Sequence, residues 1–185
     1  MLYNTITKDD MLNGEGLRVV LWVAGCEHHC PGCHNPQTWS PERGEPFTEW
    51  EYGDLMEKVN KPYISGITFS GGDPLHPVWR NAIGRIAKAV KSIEGKDIWL
   101  YTGYSLSFED GKPVLADEVI GKRLTLDDVP WLGEVDILVD GRFEEETRKS
   151  DLMASNDPYW RGSSNQKVID VKTSLERGEV VKYID

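Results

Sequence analysis

The sequence predicts an α/β fold built on parallel strands, and three observations predict it. Short apolar runs rich in β-branched residues recur at 17–23, 64–70, 97–102 and 135–139, as buried strands do. Between the second and third run, Ile83, Ile86, Ala87, Val90 and Ile93 recur at helical spacing, with Arg85, Lys88 and Lys91 between them. Strand, helix and strand in that order form a βαβ unit, which makes the sheet parallel. The stretches with distinctive chemistry stand at the carboxyl ends of these runs, where parallel α/β folds place their ligands.

The elements follow in order. Residues 1–16 are polar and end in the turn-rich Asn13-Gly14-Glu15-Gly16. The strand at 17–23 leads into Gly25-Cys26-Glu27-His28-His29-Cys30-Pro31-Gly32-Cys33-His34-Asn35. Residues 42–47 read as a loop. Thr48-Glu49-Trp50-Glu51 has the form of a capping box and opens a helix through Val59, with Trp50, Leu55, Met56 and Val59 facing inward. The strand at 64–70 runs into Gly71-Gly72-Asp73-Pro74-Leu75. That stretch is either a ligand-approaching backbone or an ordinary strand-to-helix turn with Asp73 as cap and Pro74 in the first helical turn. After the strand at 97–102, residues 105–132 carry turn chemistry at Glu109-Asp110-Gly111-Lys112-Pro113 and a capping signal at Thr125. The last run, 135–139, ends in Asp140-Gly141-Arg142-Phe143. Residues 143–157 are charged and read as partly helical. Residues 160–166 read as a solvated loop with one aromatic, and 168–171 with 180–183 as a short strand pair or docked arm.

Composition narrows the partners. The 185 residues suit one domain, 1–185, with 167–185 a tail. A net charge of −10 disfavours nucleic acid and points to a protein or small ligand. The start lacks a secretory h-region, no run has the length of a membrane span, and clustered free thiols suit a reducing cytoplasm.

All three cysteines lie in the one loop, spaced Cys-x3-Cys-x2-Cys. An odd, clustered set is a poor disulfide framework. Three thiolates leave one corner of an iron–sulfur cube open, or they form a Cys3His zinc site completed by His28, His29 or His34. Spacing alone leaves both readings standing.

Cys26-x3-Cys30-x2-Cys33 followed by a Gly-Gly-Asp strand end is the pattern of radical S-adenosylmethionine (SAM) enzymes. The likeness narrows with Asn13-Gly14 to Arg18, Asn35 with Thr38-Trp39, and Lys96-Asp97-Ile98-Trp99 with Thr102-Gly103-Tyr104. It narrows again with Val139-Asp140-Gly141-Arg142-Phe143 and Trp160-Arg161-Gly162-Ser163-Ser164-Asn165-Gln166. Over residues 10–166 the chain resembles the activating proteins of anaerobic (class III) ribonucleotide reductases, a group of glycyl-radical enzyme activases. Glu15 stands where many relatives have Pro, and His34 where many have an aromatic. Cys-His-Asn also occurs in pyruvate formate-lyase activases, so that activity is the alternative. A zinc-binding structural module and a radical SAM enzyme acting on a small molecule are the further ones.

The resemblance implies an incomplete (β/α) TIM-like barrel and a [4Fe–4S] cluster on Cys26, Cys30 and Cys33. The open iron would chelate SAM, and reductive cleavage would give a 5′-deoxyadenosyl radical. That radical would take hydrogen from a glycine of the reductase large subunit. An electron donor such as a flavodoxin or ferredoxin is implied as a second partner. Gly71, Gly72 and Asp73 resemble the motif that receives the methionine amino group, Asp73 offering a carboxylate. Arg142, oriented by Asp140, is the candidate for the methionine carboxylate. Gly32, Cys33 and His34 would lie by the adenosine, His34 stacking on it or simply packing. His28 and His29 are expected on the surface without a role, and Thr102 and Gly103 as minor ligands. Residues 160–166 are expected at the docking surface or the SAM mouth.

Overall fold

A computed structural model describes residues 1–148 and 160–184. Its centre is four parallel strands: β2 (Arg18–Val23), β4 (Gly66–Gly71), β5 (Asp97–Tyr101) and β9 (Ile137–Asp140). Each is an apolar run buried on both faces, as parallel strands require. Antiparallel strands complete the sheet on both sides. Beyond β2 lie β1 (Leu2–Asp10) and the two-residue β3 (Glu45–Pro46); beyond β9 lies β10 (Lys167–Asp170). The order is β10-β9-β5-β4-β2-β1-β3, an open sheet of mixed direction. Pro46 is tolerated because β3 is an edge.

One face packs on α1 (Glu49–Val59) and α2 (Arg80–Lys91), through Leu55, Val59, Ile83, Ile86, Ala87 and Val90. The capping box at Thr48 and Glu51 is present. Trp50, however, is 73% exposed. Tyr52, Leu55, Met56 and Val59 form the inward stripe at i, i+3, i+4 and i+7, which leaves Trp50 off the face. Helix α2 begins at Arg80, not at Pro74. Asp73 instead caps a local turn by accepting from Leu75 N at 2.8 Å. The other face of the sheet carries Trp99, Ile137, Val139 and Val168, covered by Tyr101, Trp160 and Ile184.

Five features depart from the sequence reading. Residues 2–10 are a strand, and the expected loop at 42–47 contains β3. The connection from β5 to β9 holds a second sheet of β6 (Ser105–Glu109), β7 (Lys112–Asp117) and β8 (Lys122–Leu124). The expected pairing of 168–171 with 180–183 is present, residues 181–183 returning antiparallel against β10, but the stretch between them forms α3 (Val171–Arg177), capped by Asp170 at Thr173 N. Of the expected helix at 143–157, only a single turn, Glu145–Thr147, lies among the described residues; 149–157 lie outside them.

Candidate functional site

The carboxyl ends of β2, β4, β5 and β9 open onto the cysteine loop. The loop leaves β2 and is pinned at its root. Gly25 N donates to Thr38 O at 2.7 Å, Cys26 N to Trp39 O at 2.9 Å and Asp73 N to Gly25 O at 2.8 Å. The last bond brings two backbones together, and a Cβ on Gly72 would stand 2.4 Å from Gly25 O. The glycine pair thus admits the root of the cysteine loop. Past the root, His29 has φ 48° and Gly32 φ 69°. Cys33 N donates to Cys30 O at 3.1 Å, which curls the chain back.

The thiols are free, with Cys30 buried and Cys26 and Cys33 half-buried. Burial and then the Asp73 charge push Cys26 up to about 12. Burial also raises Cys30, although the Arg142 charge and the Phe143 backbone amide pull it back. Such thiols stay protonated at neutral pH, unlike catalytic cysteines, and lose their protons to a metal. Three soft donors on one short loop, one already receiving a backbone N–H (Asn35 N to Cys33 Sγ, 3.3 Å), fit an iron–sulfur cluster with an open iron. A zinc site would need a fourth ligand beside the three thiols. His28 has both ring nitrogens committed elsewhere. His29 packs on Trp39 and His34 on Phe143, with ring centroids 4.8 and 4.7 Å apart.

His28 corrects the sequence reading most sharply. It is buried, with Nε2 on Asp73 and Nδ1 on Asp117 Oδ2 at 2.6 Å. A carboxylate at each ring nitrogen calls for a proton on both, so the ring is an imidazolium. Burial opposes that charge, but the two carboxylates prevail and raise the His28 pKa. Burial likewise opposes ionisation of Asp73 and Asp117, yet bonds from His28, and for Asp117 also from Arg142, hold both carboxyls below the usual range. Tyr104 meets the His28 ring edge-on at 4.8 Å. Gly103 makes the room, since a Cβ there would fall 2.4 Å from the His28 ring.

Asp73 therefore has no free carboxylate for a ligand. Besides His28 it accepts from Leu75 N, Thr102 Oγ1 and Gly103 N, the last two at 2.9 and 3.0 Å. Thr102 and Gly103 clamp Asp73. Asp140 does not orient Arg142 either. Its buried carboxylate accepts from Leu106 N at 2.7 Å and Lys167 N at 3.3 Å, tying β9 to its neighbours. Arg142 is held by Asp117, with Nη1 on Oδ2 at 2.7 Å, and donates from Nη2 to His28 O at 2.6 Å. Asp117 comes from the end of β7, so the second sheet delivers the group that joins His28 to Arg142. Lys122 of β8 adds an ion pair to Glu27 in the cysteine loop.

Gly32, Cys33 and His34 sit together at the outer turn of the loop, under Phe143. Sequence reasoning missed His28 and Asp117. Their contact spans 89 positions, and no local pattern marks it. The alternating Ser105-Leu106-Ser107-Phe108 before Asp110-Gly111 was the available signal for the sheet that carries Asp117.

Comparison with known proteins gives one family and consistent relatives. The 4Fe-4S single cluster domain family matches residues 12–169. The anaerobic ribonucleoside-triphosphate reductase-activating protein of Enterobacteria phage T4 is 38% identical over 169 residues, covering 91% of this chain and 93% of that protein. The protein of the same name from Escherichia coli (strain K12) is 37% identical over 174 residues, covering 91% and 97%. That of Vibrio cholerae serotype O1 is 34% identical over 172 residues, again covering 91% and 97%.

Proposed function

The chain belongs to the family of the anaerobic ribonucleoside-triphosphate reductase-activating proteins, with a 4Fe-4S single cluster domain, and from that premise we propose that it activates the reductase by radical SAM chemistry. Cys26, Cys30 and Cys33 would hold the [4Fe–4S] cluster with one iron left for SAM. When bound, the cluster and SAM supply an electron and a 5′-deoxyadenosyl radical that takes a hydrogen atom from a glycine of the reductase large subunit.

The chain's own residues bind and orient. Arg142 uses two of its donors on Asp117 and His28 O, leaving others for a carboxylate at the mouth. Because the Asp73 side chain is consumed internally, the backbone at Gly71 and Gly72 is left to receive the methionine amino group. The His34 and Phe143 rings offer apolar surface to adenine beside Gly32 and Cys33. Asp73, His28 and Asp117 form a buried strut that keeps the cysteine loop in register with β4 and β7. An electron donor such as a flavodoxin or ferredoxin would serve the cluster in a reducing cytoplasm. Among the described residues no helix is long and apolar enough to cross a membrane.

One observation carries this reading: the three thiols, the Gly71–Gly72 turn and Arg142 gather at the same end of four parallel strands. The relatives' names point to the reductase rather than to pyruvate formate-lyase. The test mixes anaerobically loaded, reduced protein with SAM and the reductase large subunit. Electron paramagnetic resonance should then show a glycyl radical on the large subunit, absent with Cys30→Ala. Cleavage of SAM with no radical on the reductase would overturn the proposal.

A further inference from the structure

Residues 160–166, which read as a solvated loop, form a platform under residues 141–147. The Gln166 side chain works in both directions. Its Oε1 accepts from Gly162 N at 2.8 Å and Ser163 N at 3.2 Å, and its Nε2 donates to Gly141 O at 2.9 Å. Asn165 Nδ2 donates to Arg142 O at 2.9 Å, while its Oδ1 accepts from Thr147 Oγ1 at 3.2 Å. The buried Ser163 Oγ accepts from Glu144 N at 3.2 Å, and Ser164 N donates to Thr147 O at 3.0 Å. A row of amide and hydroxyl groups thus holds a segment that has little regular structure of its own.

The held segment faces the cysteines. Arg142 reaches His28 O between Cys26 and Cys30, and Phe143 lies on the His34 ring. Glu145 packs so closely on Gly32 that a Cβ there would stand 2.6 Å from its carboxyl carbon.

We propose that Gln166, Asn165 and Ser163 are positioning residues that hold Arg142 and Phe143 against the cysteine loop and so set the reduction potential of the cluster bound there. The inference rests on the cluster of the proposed function and deepens it. A reduced cluster carries one more negative charge than an oxidised one. A nearby guanidinium and N–H donors favour it, and their withdrawal makes reduction harder. Glutamine suits position 166 because one side chain must both accept and donate there.

The test is a redox titration of the anaerobically reconstituted protein, followed by electron paramagnetic resonance. Gln166→Met keeps the bulk and removes the hydrogen bonds. Asn165→Ala removes the exposed contact to Arg142 O. Both should keep the wild-type iron content and shift the midpoint potential to more negative values. The shift from Gln166→Met should shrink in an Arg142→Met background, because the platform acts partly through that side chain. A merely structural platform would lower thermal stability and leave the potential where it was. Unshifted potentials in variants with intact clusters would overturn the proposal alone. If Gln166→Met does not fold, Asn165→Ala decides by the same criterion. A wild-type protein that takes up no cluster would overturn the proposed function, and this inference with it.

Discussion

Two arginines, one at each end of the parallel sheet, show how a saturated cation differs from one with donors left over. Arg18 opens β2 at the amino ends of the strands and is 0% exposed. Its guanidinium donates to Thr68 Oγ1, Glu15 O and Ile67 O, each at 2.9 Å, and pairs with Asp97. Its carbon lies 5.4 Å from the centre of the Trp99 ring. Arg142 stands at the carboxyl ends, beside the cysteine loop, with its side chain 18% exposed. The hydrogen bonds described for it go to Asp117 and His28 O. A guanidinium has five donors. Arg18 spends nearly all of them inside the protein, whereas Arg142 has two engaged, and the proposed function gives the others to a carboxylate. Both stand in sequence beside apolar strands, so the difference lies in how far the fold saturates each.

The contrast breaks first at Arg18. Arg18→Ala should lower the unfolding free energy by about 3–5 kcal/mol in a urea titration. Asp97 is partly exposed and can rehydrate, but the buried acceptors cannot, at about 1–3 kcal/mol for each orphaned group. Fluorescence from Trp99 and its neighbours should report the same transition. A loss under about 1 kcal/mol would mean that the hydrogen bonds are replaced by water.

Arg142→Ala should show the opposite profile. SAM affinity, measured anaerobically by equilibrium binding, should fall on the order of a hundredfold, or about 2.7 kcal/mol, for the loss of charge-assisted hydrogen bonds. Iron content should hold. Unchanged SAM affinity would remove Arg142 from the ligand site and leave it as a second structural cation.

Gly103→Ala tests the strut that joins the two roles. The added methyl would press on the His28 ring, an overpacking that costs about 1–3 kcal/mol. Iron retention on gel filtration should drop as well, because His28 lies inside the cysteine loop. Stability loss with full iron retention would separate the strut from the loop.

Tyr183→Phe should have the smallest effect. Tyr183 donates to Glu15 at 2.6 Å near the Arg18 end, but the pair is exposed. A change of at most about 0.5 kcal/mol is expected, with no effect on SAM. A larger loss would show that the returning 181–183 segment is integral to the Arg18 end.

The same two ends differed in how much the sequence disclosed. The parallel strands and α2 were legible because buried parallel strands are continuous apolar runs and α2 repeats at helical spacing. The cysteine triplet was legible because its three thiols lie within one short loop. β1 was missed because Leu2–Asp10 is mostly polar and only partly buried, although Tyr3, Thr5, Ile6 and Thr7 carry a β bias. Asp73 and Asp140 have internal partners that the sequence did not disclose, for another reason. A carboxylate at a strand end looks like a ligand in sequence, and only the tertiary structure shows that backbone amides and His28 already occupy it. His28 itself was invisible, since what buries it comes from β7 and from the turn after β4. The platform at 160–166 was singled out only by family likeness. Its bonds run to 141–147, about two dozen positions away, as Asn165 to Arg142 shows.

The most direct test of the account is electron paramagnetic resonance of the anaerobically reconstituted, reduced protein, recorded with and without SAM. The account predicts a reduced [4Fe–4S] signal that changes shape when SAM is added, because one iron and the Arg142 mouth are open to it. A cluster signal indifferent to SAM, or a silent spectrum with one bound zinc, would contradict it.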